Sequence, residues 1–145
     1  MSDRPPELGD IDEATWQRLA DAARDVRDCA HVPYSSFPVG AALLTDNGEI
    51  ITGCNVENAT IGATVCAERN AIGCAVSAGH RTFRALAIVT EVDPPAAPCG
   101  ICRQVLAEFC DDLPILLLTP EGQRRTTTLD ELLPMRFSGL DFNHD

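Results

Sequence analysis

Two cysteine-bearing segments, Cys66-Ala67-Glu68 and Pro98-Cys99-Gly100-Ile101-Cys102, constrain this chain more than any other feature. Cys99 and Cys102 have the spacing with which a loop entering a helix presents two thiolates to one metal ion. Cys66, at the start of another predicted helix, can supply a third. Helix N-termini carry unpaired N–H groups and partial positive charge, which favour thiolate over thiol. Zinc prefers sulfur ligands in a tetrahedral arrangement, and three protein ligands leave one position open, as in catalytic zinc sites. Glu68 then reads as a proton carrier beside the metal.

The same residue types serve other purposes in proteins. Cys-x-x-Cys alone also suits redox thiols, but redox use gives no role to Cys66 or Glu68. A structural zinc takes a fourth protein ligand, for which Cys54, Cys74, His31, His80 and His144 are nominally available. A non-enzymatic, zinc-stabilised interaction domain is the reading that follows from such a site. The histidines share no spacing with the cysteines and read as solvated or helix-capping groups. Cys29, Cys54, Cys74 and Cys110 fall singly in apolar or mixed segments and read as small core hydrophobes. Arg69, in the first turn of the Cys66 helix, is placed to donate hydrogen bonds to the sulfurs and to drain charge from a thiolate-rich metal. A surface ion pair is the plainer alternative.

At 145 residues the chain fits one domain with a full hydrophobic core. Residues 1–11 read as a flexible polar tail and 12–145 as the catalytic domain. No apolar run is long enough to span a bilayer and no leader is evident, so a cytoplasmic protein without a membrane partner is expected. The formal charge of -11 and the lack of a basic stripe argue against a nucleic-acid partner. All basic residues are arginine; without lysine there is no Schiff-base lysine and no phosphate-loop lysine.

Asp12 is positioned to cap a helix over 13–31, with Trp16, Leu19, Ala20, Ala23, Val26 and Ala30 as its apolar stripe. Residues 39–45 and 49–55, joined by Asp46-Asn47-Gly48, read as an antiparallel hairpin. Helices are expected over 66–77 and 101–110, and buried strands over 84–90 and 115–118. Thr128 with Glu131 forms a capping box for a short last helix. Helices alternating with strands give a three-layer α/β domain with a mixed sheet.

Beyond the cysteines, the blocks Pro33-Tyr34-Ser35-Ser36-Phe37-Pro38-Val39-Gly40-Ala41-Ala42, Gly53-Cys54-Asn55-Val56-Glu57-Asn58-Ala59, Cys66-Ala67-Glu68-Arg69 and Pro98-Cys99-Gly100-Ile101-Cys102-Arg103-Gln104-Val105 occur in this order. With them the chain resembles the small, homotetrameric, zinc-dependent cytidine deaminases, from about Leu19 to Leu140. The resemblance implies an α/β/α sandwich with a five-stranded mixed sheet, one Zn²⁺ per subunit, and active sites near subunit boundaries. It implies hydrolytic deamination of cytidine and 2′-deoxycytidine to the uridine products and ammonia, a step of pyrimidine salvage. A neutral nucleoside suits an acidic protein because it brings no phosphate to repel. Glu68 would take a proton from water, deliver it to N3 and then serve the departing amine.

By position, the resemblance places Phe37 against the pyrimidine face, Asn55 and Glu57 on sugar hydroxyls, and the backbone at Cys66 and Ala67 against the base. Phe137 resembles an aromatic supplied to the pocket, from a neighbouring subunit or otherwise retained in the core. Ile61 stands where the family usually has Tyr, Ala97 where it has Ser and Ile101 where it commonly has Ala. These departures touch sugar-side specificity and subunit contacts and leave the metal set intact. A deaminase of a modified cytosine nucleoside, or of an aminopyrimidine antibiotic such as blasticidin S, is the enzymatic alternative.

Overall fold

The computed structural model describes residues 11–139. In chain order its elements are α1 (Glu13–Arg27), β1 (Gly40–Thr45), β2 (Ile50–Cys54), α2 (Ala67–Ser77), β3 (Phe83–Val89), α3 (Gly100–Phe109), β4 (Pro114–Leu118), β5 (Arg124–Thr128) and α4 (Leu129–Leu132). The sheet order is β2-β1-β3-β4-β5. Among the five strands described, β3 and β4 are the pair that runs parallel, and α3 forms their crossover. This is the expected five-stranded mixed sheet.

Side chains alternate across the sheet, so each strand feeds two cores. Ala41, Leu43, Leu86, Ile88, Ile115 and Leu117 pack beneath α2 and α3. Ala42, Leu44, Ala85, Ala87, Leu116 and Leu118 meet Trp16, Leu19, Ala20 and Ala23 of α1 on the other face. Helix α1 therefore forms one layer, with α2 and α3 opposite.

Two glycines set how closely the helices approach. A Cβ on Gly40 would lie 1.9 Å from the Ala23 carbonyl of α1. One on Gly53 would lie 2.4 Å from Ala71 N and 2.5 Å from Ala67 O of α2. Asn70 ties the same helix to β2 by donating to the Cys54 carbonyl at 2.8 Å. The helix that begins at Cys66 is thus held against the sheet edge.

The structure corrects several local expectations. Asp12 caps α1 by accepting from Thr15 N, as expected, but the helix stops at Arg27 rather than 31. The N–H groups of Asp28, Cys29 and Ala30 turn back to carbonyls three residues earlier, and His31 N–H leaves to pair with Asn55 O. Tertiary pairing wins over the helical pattern there. Ile11, assigned to the tail, is 3% exposed and packs with Trp16 and Leu44; residues 1–10 lie outside the described residues. Cys110 is a core thiol as expected, but Cys29 and Cys74 are exposed and Cys54 is half-buried. Cys29 follows the early end of α1, and Cys74 lies on the outer side of α2. Strand β5 has no apolar alternation to announce it, because it is an edge strand with Arg124, Arg125 and Thr126 exposed. Thr128 caps α4 by accepting from Glu131 N at 3.2 Å.

Among the described residues, no helix is long and apolar enough to cross a membrane.

Candidate metal centre and active site

Val56 joins three segments. On one side it lies in a parallel bridge with His31; on the other it exchanges both backbone hydrogen bonds with Val65, at 2.9 and 3.0 Å. His31 leads into the loop carrying Phe37, Val65 leads into Cys66, and Asn55 and Glu57 flank Val56 itself. One extended residue therefore brings together four of the predicted positions.

Cys66 is the N-cap of α2 and Cys99 the N-cap of α3, and neither side chain is spent on a capping bond. Cys102, in the first turn of α3, is fully buried. The Cys66 and Cys99 sulfurs are 3.9 Å apart, and all three sulfurs lie within 4.8 Å of one another. Tetrahedral zinc with bonds of ~2.3 Å separates its sulfur ligands by about 3.8 Å, so the triad fits that metal. No fourth cysteine, histidine or carboxylate joins the group among the described residues. His80 instead meets Glu49 at 2.9 Å, His31 is exposed and His144 lies outside the described residues. Among the described residues, the group therefore has three protein ligands and not the four of a structural zinc.

Within the triad, Cys66 is the sulfur polarised toward thiolate. The Cys66 thiol is held down to about 5, chiefly by a hydrogen bond from Cys102 and further by Arg69 and Cys99. Cys102 is pushed the other way, first by that bond and then by burial. Arg69 donates from Nη2 to the Cys66 sulfur at 3.5 Å and to Thr64 O at 3.3 Å. This puts the guanidinium beside the Cys66 sulfur, and no acidic partner competes for it among the described ion pairs.

Glu68 is 5% exposed, and burial pushes its carboxyl up to about 7, with the nearby Cys66 charge adding to the effect. It lines a cavity of about 210 Å³ together with Phe37, Asn55, Cys66, Ala67 and Cys99. Ile88 and Thr90 close this cavity from the carboxyl end of β3, where open α/β sheets commonly place their ligands. A second hollow of about 500 Å³ shares Thr64, Cys66 and Cys99 with the first and extends past Glu57 to Ile61 and Ile101. Sharing these residues, the two hollows adjoin: the inner one is walled by Phe37, Val39 and Ile88, and the outer one is larger.

The side chains of Asn55 and Glu57 are largely committed to protein partners. Asn55 donates to Phe37 O at 2.9 Å and accepts from Val39 N at 2.8 Å. One amide hydrogen remains for another acceptor. Glu57 Oε1 accepts from Tyr34 N at 3.0 Å and Ser35 N at 3.1 Å, while Oε2 accepts from the Ser35 hydroxyl. These bonds, the hydroxyl foremost, hold the Glu57 carboxyl below the usual carboxylate range. Ala67 lies in the cavity wall. Phe137 does not join the site within the chain: it is 57% exposed and lines neither hollow, which also removes the core reading. Its carbonyl accepts from Gln104 at 3.0 Å.

Sequence reasoning gave no role to Arg103. Its guanidinium holds Pro98 O at 2.7 Å and Leu132 O at 2.8 Å, pinning the turn before Cys99 to the end of α4. Its place one residue after Cys102 was the only available signal.

Residues 14–116 match the family described as cytidine and deoxycytidylate deaminase zinc-binding region. A cytidine deaminase of Sporosarcina psychrophila is 47% identical over 129 residues, which are 88% of this chain and 95% of that relative. The 1.6 Å crystal structure of cytidine deaminase from Burkholderia pseudomallei matches with a TM-score of 0.81 at 46% identity, covering 83% of this chain and 98% of that one. A blasticidin-S deaminase of Bacillus cereus is 37% identical over 108 residues, 69% of this chain and 76% of that relative. This chain belongs to the cytidine deaminase family. Zinc is the metal suited to its three thiols.

Proposed function

We propose that this protein deaminates cytidine and 2′-deoxycytidine hydrolytically, giving uridine or 2′-deoxyuridine and ammonia in pyrimidine salvage. The observation that carries the reading is Glu68: a buried carboxyl in the wall of the cavity that Cys66 and Cys99 also line. A carboxyl held there can both accept and return a proton.

Zinc, when held by Cys66, Cys99 and Cys102, supplies a Lewis acid that makes water nucleophilic at neutral pH. Glu68 takes the proton of the attacking water and passes it to N3, which makes C4 electrophilic. It then takes the second water-derived proton from the new C4 hydroxyl and passes it to the amine, so that C4=O forms as the C4–N bond breaks, and one water is consumed and one ammonia released. Phe37 covers the pyrimidine face. The remaining amide hydrogen of Asn55 and the open lone pair of Glu57 Oε2 receive the sugar hydroxyls. Arg69 withdraws negative charge from the sulfurs, which keeps the metal electrophilic.

Exposed Tyr34, Ile61, Ile101 and Phe137 favour assembly as a homotetramer, with Phe137 entering a neighbouring subunit's site. The protein then works in the cytoplasm on a free nucleoside, with no nucleic-acid or membrane partner. The likeness to a blasticidin-S deaminase favours a second reading, in which the apolar pair Ile61 and Ile101 accepts a bulkier aminopyrimidine.

A substrate panel followed by ultraviolet absorbance separates the readings: cytidine, deoxycytidine, 5-substituted analogues, cytosine, CMP and blasticidin S. Cytidine and deoxycytidine turnover well above the rest supports the proposal. Blasticidin S as the sole good substrate moves the assignment to the second reading. Solution mass of four chains, lowered by Phe137→Ala, tests the assembly.

A further inference from the structure

Ser35 sits between two residues that the proposed function places on opposite parts of the substrate. Its backbone N–H and its hydroxyl both reach Glu57, the former at 3.1 Å to Oε1 and the latter to Oε2. The same hydroxyl oxygen accepts from Phe37 N at 3.0 Å. The direction of these bonds is fixed by chemistry. An ionised carboxylate only accepts and an amide N–H only donates, so the single hydroxyl proton must point to Glu57. The result is a one-way chain from Phe37 N–H through the Ser35 hydroxyl to Glu57 Oε2.

The backbone is shaped for this arrangement. Ser36 has a φ of 56°, in the left-handed region that non-glycine residues seldom adopt, and it reverses the chain so that Phe37 N–H faces the Ser35 oxygen two residues back. Phe37 is fixed at its other end by Asn55, which donates to its carbonyl. Such strain is retained where surrounding contacts over-determine it. Ser35 itself is exposed, so its hydroxyl contributes no core packing.

We propose that Ser35 is a positioning residue for nucleoside recognition: its hydroxyl, oriented by the bond from Phe37 N–H, locks the sugar-side carboxylate of Glu57. This rests on the reading of Glu57 as the group that binds a sugar hydroxyl. Ser35 occupies one lone pair of Oε2 and aims the other toward the outer hollow. Without the hydroxyl, Glu57 keeps its two backbone bonds but rotates more freely, and Phe37 N–H loses its acceptor. Binding of a hydroxyl-bearing sugar suffers, while proton transfer at Glu68 does not.

The test uses the full-length, zinc-loaded protein with Ser35→Ala, Ser35→Thr, Glu57→Ala and the double variant Ser35→Ala/Glu57→Ala. Steady-state constants are measured for cytidine and for 2′,3′-dideoxycytidine, which keeps the base and lacks the secondary hydroxyls. Ser35→Ala raises KM for cytidine about tenfold, the scale of one hydrogen bond to a charged group, and leaves kcat within about threefold. KM for the dideoxy substrate changes little. Ser35→Thr restores the cytidine value, and the double variant is no worse than Glu57→Ala. If Glu57→Ala raises KM for cytidine and Ser35→Ala leaves it unchanged, the role of Ser35 is overturned alone. If Glu57→Ala leaves KM unchanged, the sugar-binding reading falls and the positioning role with it. Equal losses for both substrates, or a fall confined to kcat, also overturn the proposal, because they mark general damage to the site.

Discussion

The sulfurs of Cys66 and Cys99 meet at 3.9 Å because each residue caps a helix that starts at the same point, although 33 positions separate them in sequence. The metal site is therefore a product of helix placement against the sheet. Its ligands come from two N-termini whose unpaired N–H groups favour anionic sulfur. Cys99→Ala is accordingly expected to remove one of three ligands without disturbing the other helix. Zinc measured by atomic spectroscopy should fall from one per chain to a small fraction after dialysis, with the helical circular dichroism largely kept. Full zinc content in Cys99→Ala contradicts the ligand set.

Gly53 and Gly40 should tolerate no side chain. Their added Cβ atoms would fall 2.4 Å and 1.9 Å from backbone atoms of α2 and α1, where nothing flexible can yield. Each alanine variant is expected to lose about 3 kcal/mol or more of stability by chemical denaturation, the upper range for overpacking. Gly53→Ala also displaces the start of α2 and should lower turnover at temperatures where the protein remains folded. An unchanged denaturation midpoint would mean that the helices do not sit as close as described.

Arg69→Ala should weaken zinc retention about 10- to 100-fold, the usual consequence of removing a hydrogen-bond donor behind a metal ligand. With more negative charge left on the sulfurs, the metal becomes a weaker acid, so the acid limb of the rate profile moves to higher pH. Unchanged metal content together with an unchanged pH profile excludes this role.

Glu68 also makes stability depend on pH once zinc is stripped. Its carboxyl is raised from 4.5 to about 7 in the fold, so between those values the folded state binds more protons than the unfolded one. Stability contributed by this group is therefore full below about 4.5, declines as pH rises toward about 7, and is level above that. The shift corresponds to roughly 3 kcal/mol. Metal-free wild type should lose that amount relative to metal-free Glu68→Gln between pH 4.5 and 7.5. Parallel pH dependences for the two proteins contradict the burial of an ionisable Glu68.

The sequence carried the chemistry of this site more plainly than its geometry. Cys66, Glu68, Cys99 and Cys102 were legible because few other tasks call for those residue types at those spacings. The hairpin, α2, β3 and β4 followed from local periodicity and turn residues. What escaped depends on contacts distant in sequence. Helix α1 ends at Arg27 because His31 pairs with Asn55 and Glu57, and no local pattern at 28–31 announces that pairing. Strand β5 is held by its register with β4, such as Thr127 with Ile115, rather than by an apolar alternation of its own. Asn55 and Glu57 carried no local sign of function; their hydrogen bonds to the 34–39 loop appear only in three dimensions. Ile11 was masked by the polar residues before it, and its burial comes from Trp16 and Leu44.

The proposed chemistry is tested most sharply by turnover of cytidine by zinc-loaded wild type and by Glu68→Gln, with metal content measured on the same samples. Rapid conversion to uridine is expected of the wild type. A loss of at least about 100-fold is expected of the variant, the scale of general acid–base catalysis, at one zinc per chain in both. Comparable turnover by Glu68→Gln, or no cytidine turnover by fully metallated wild type, would contradict the proposed chemistry.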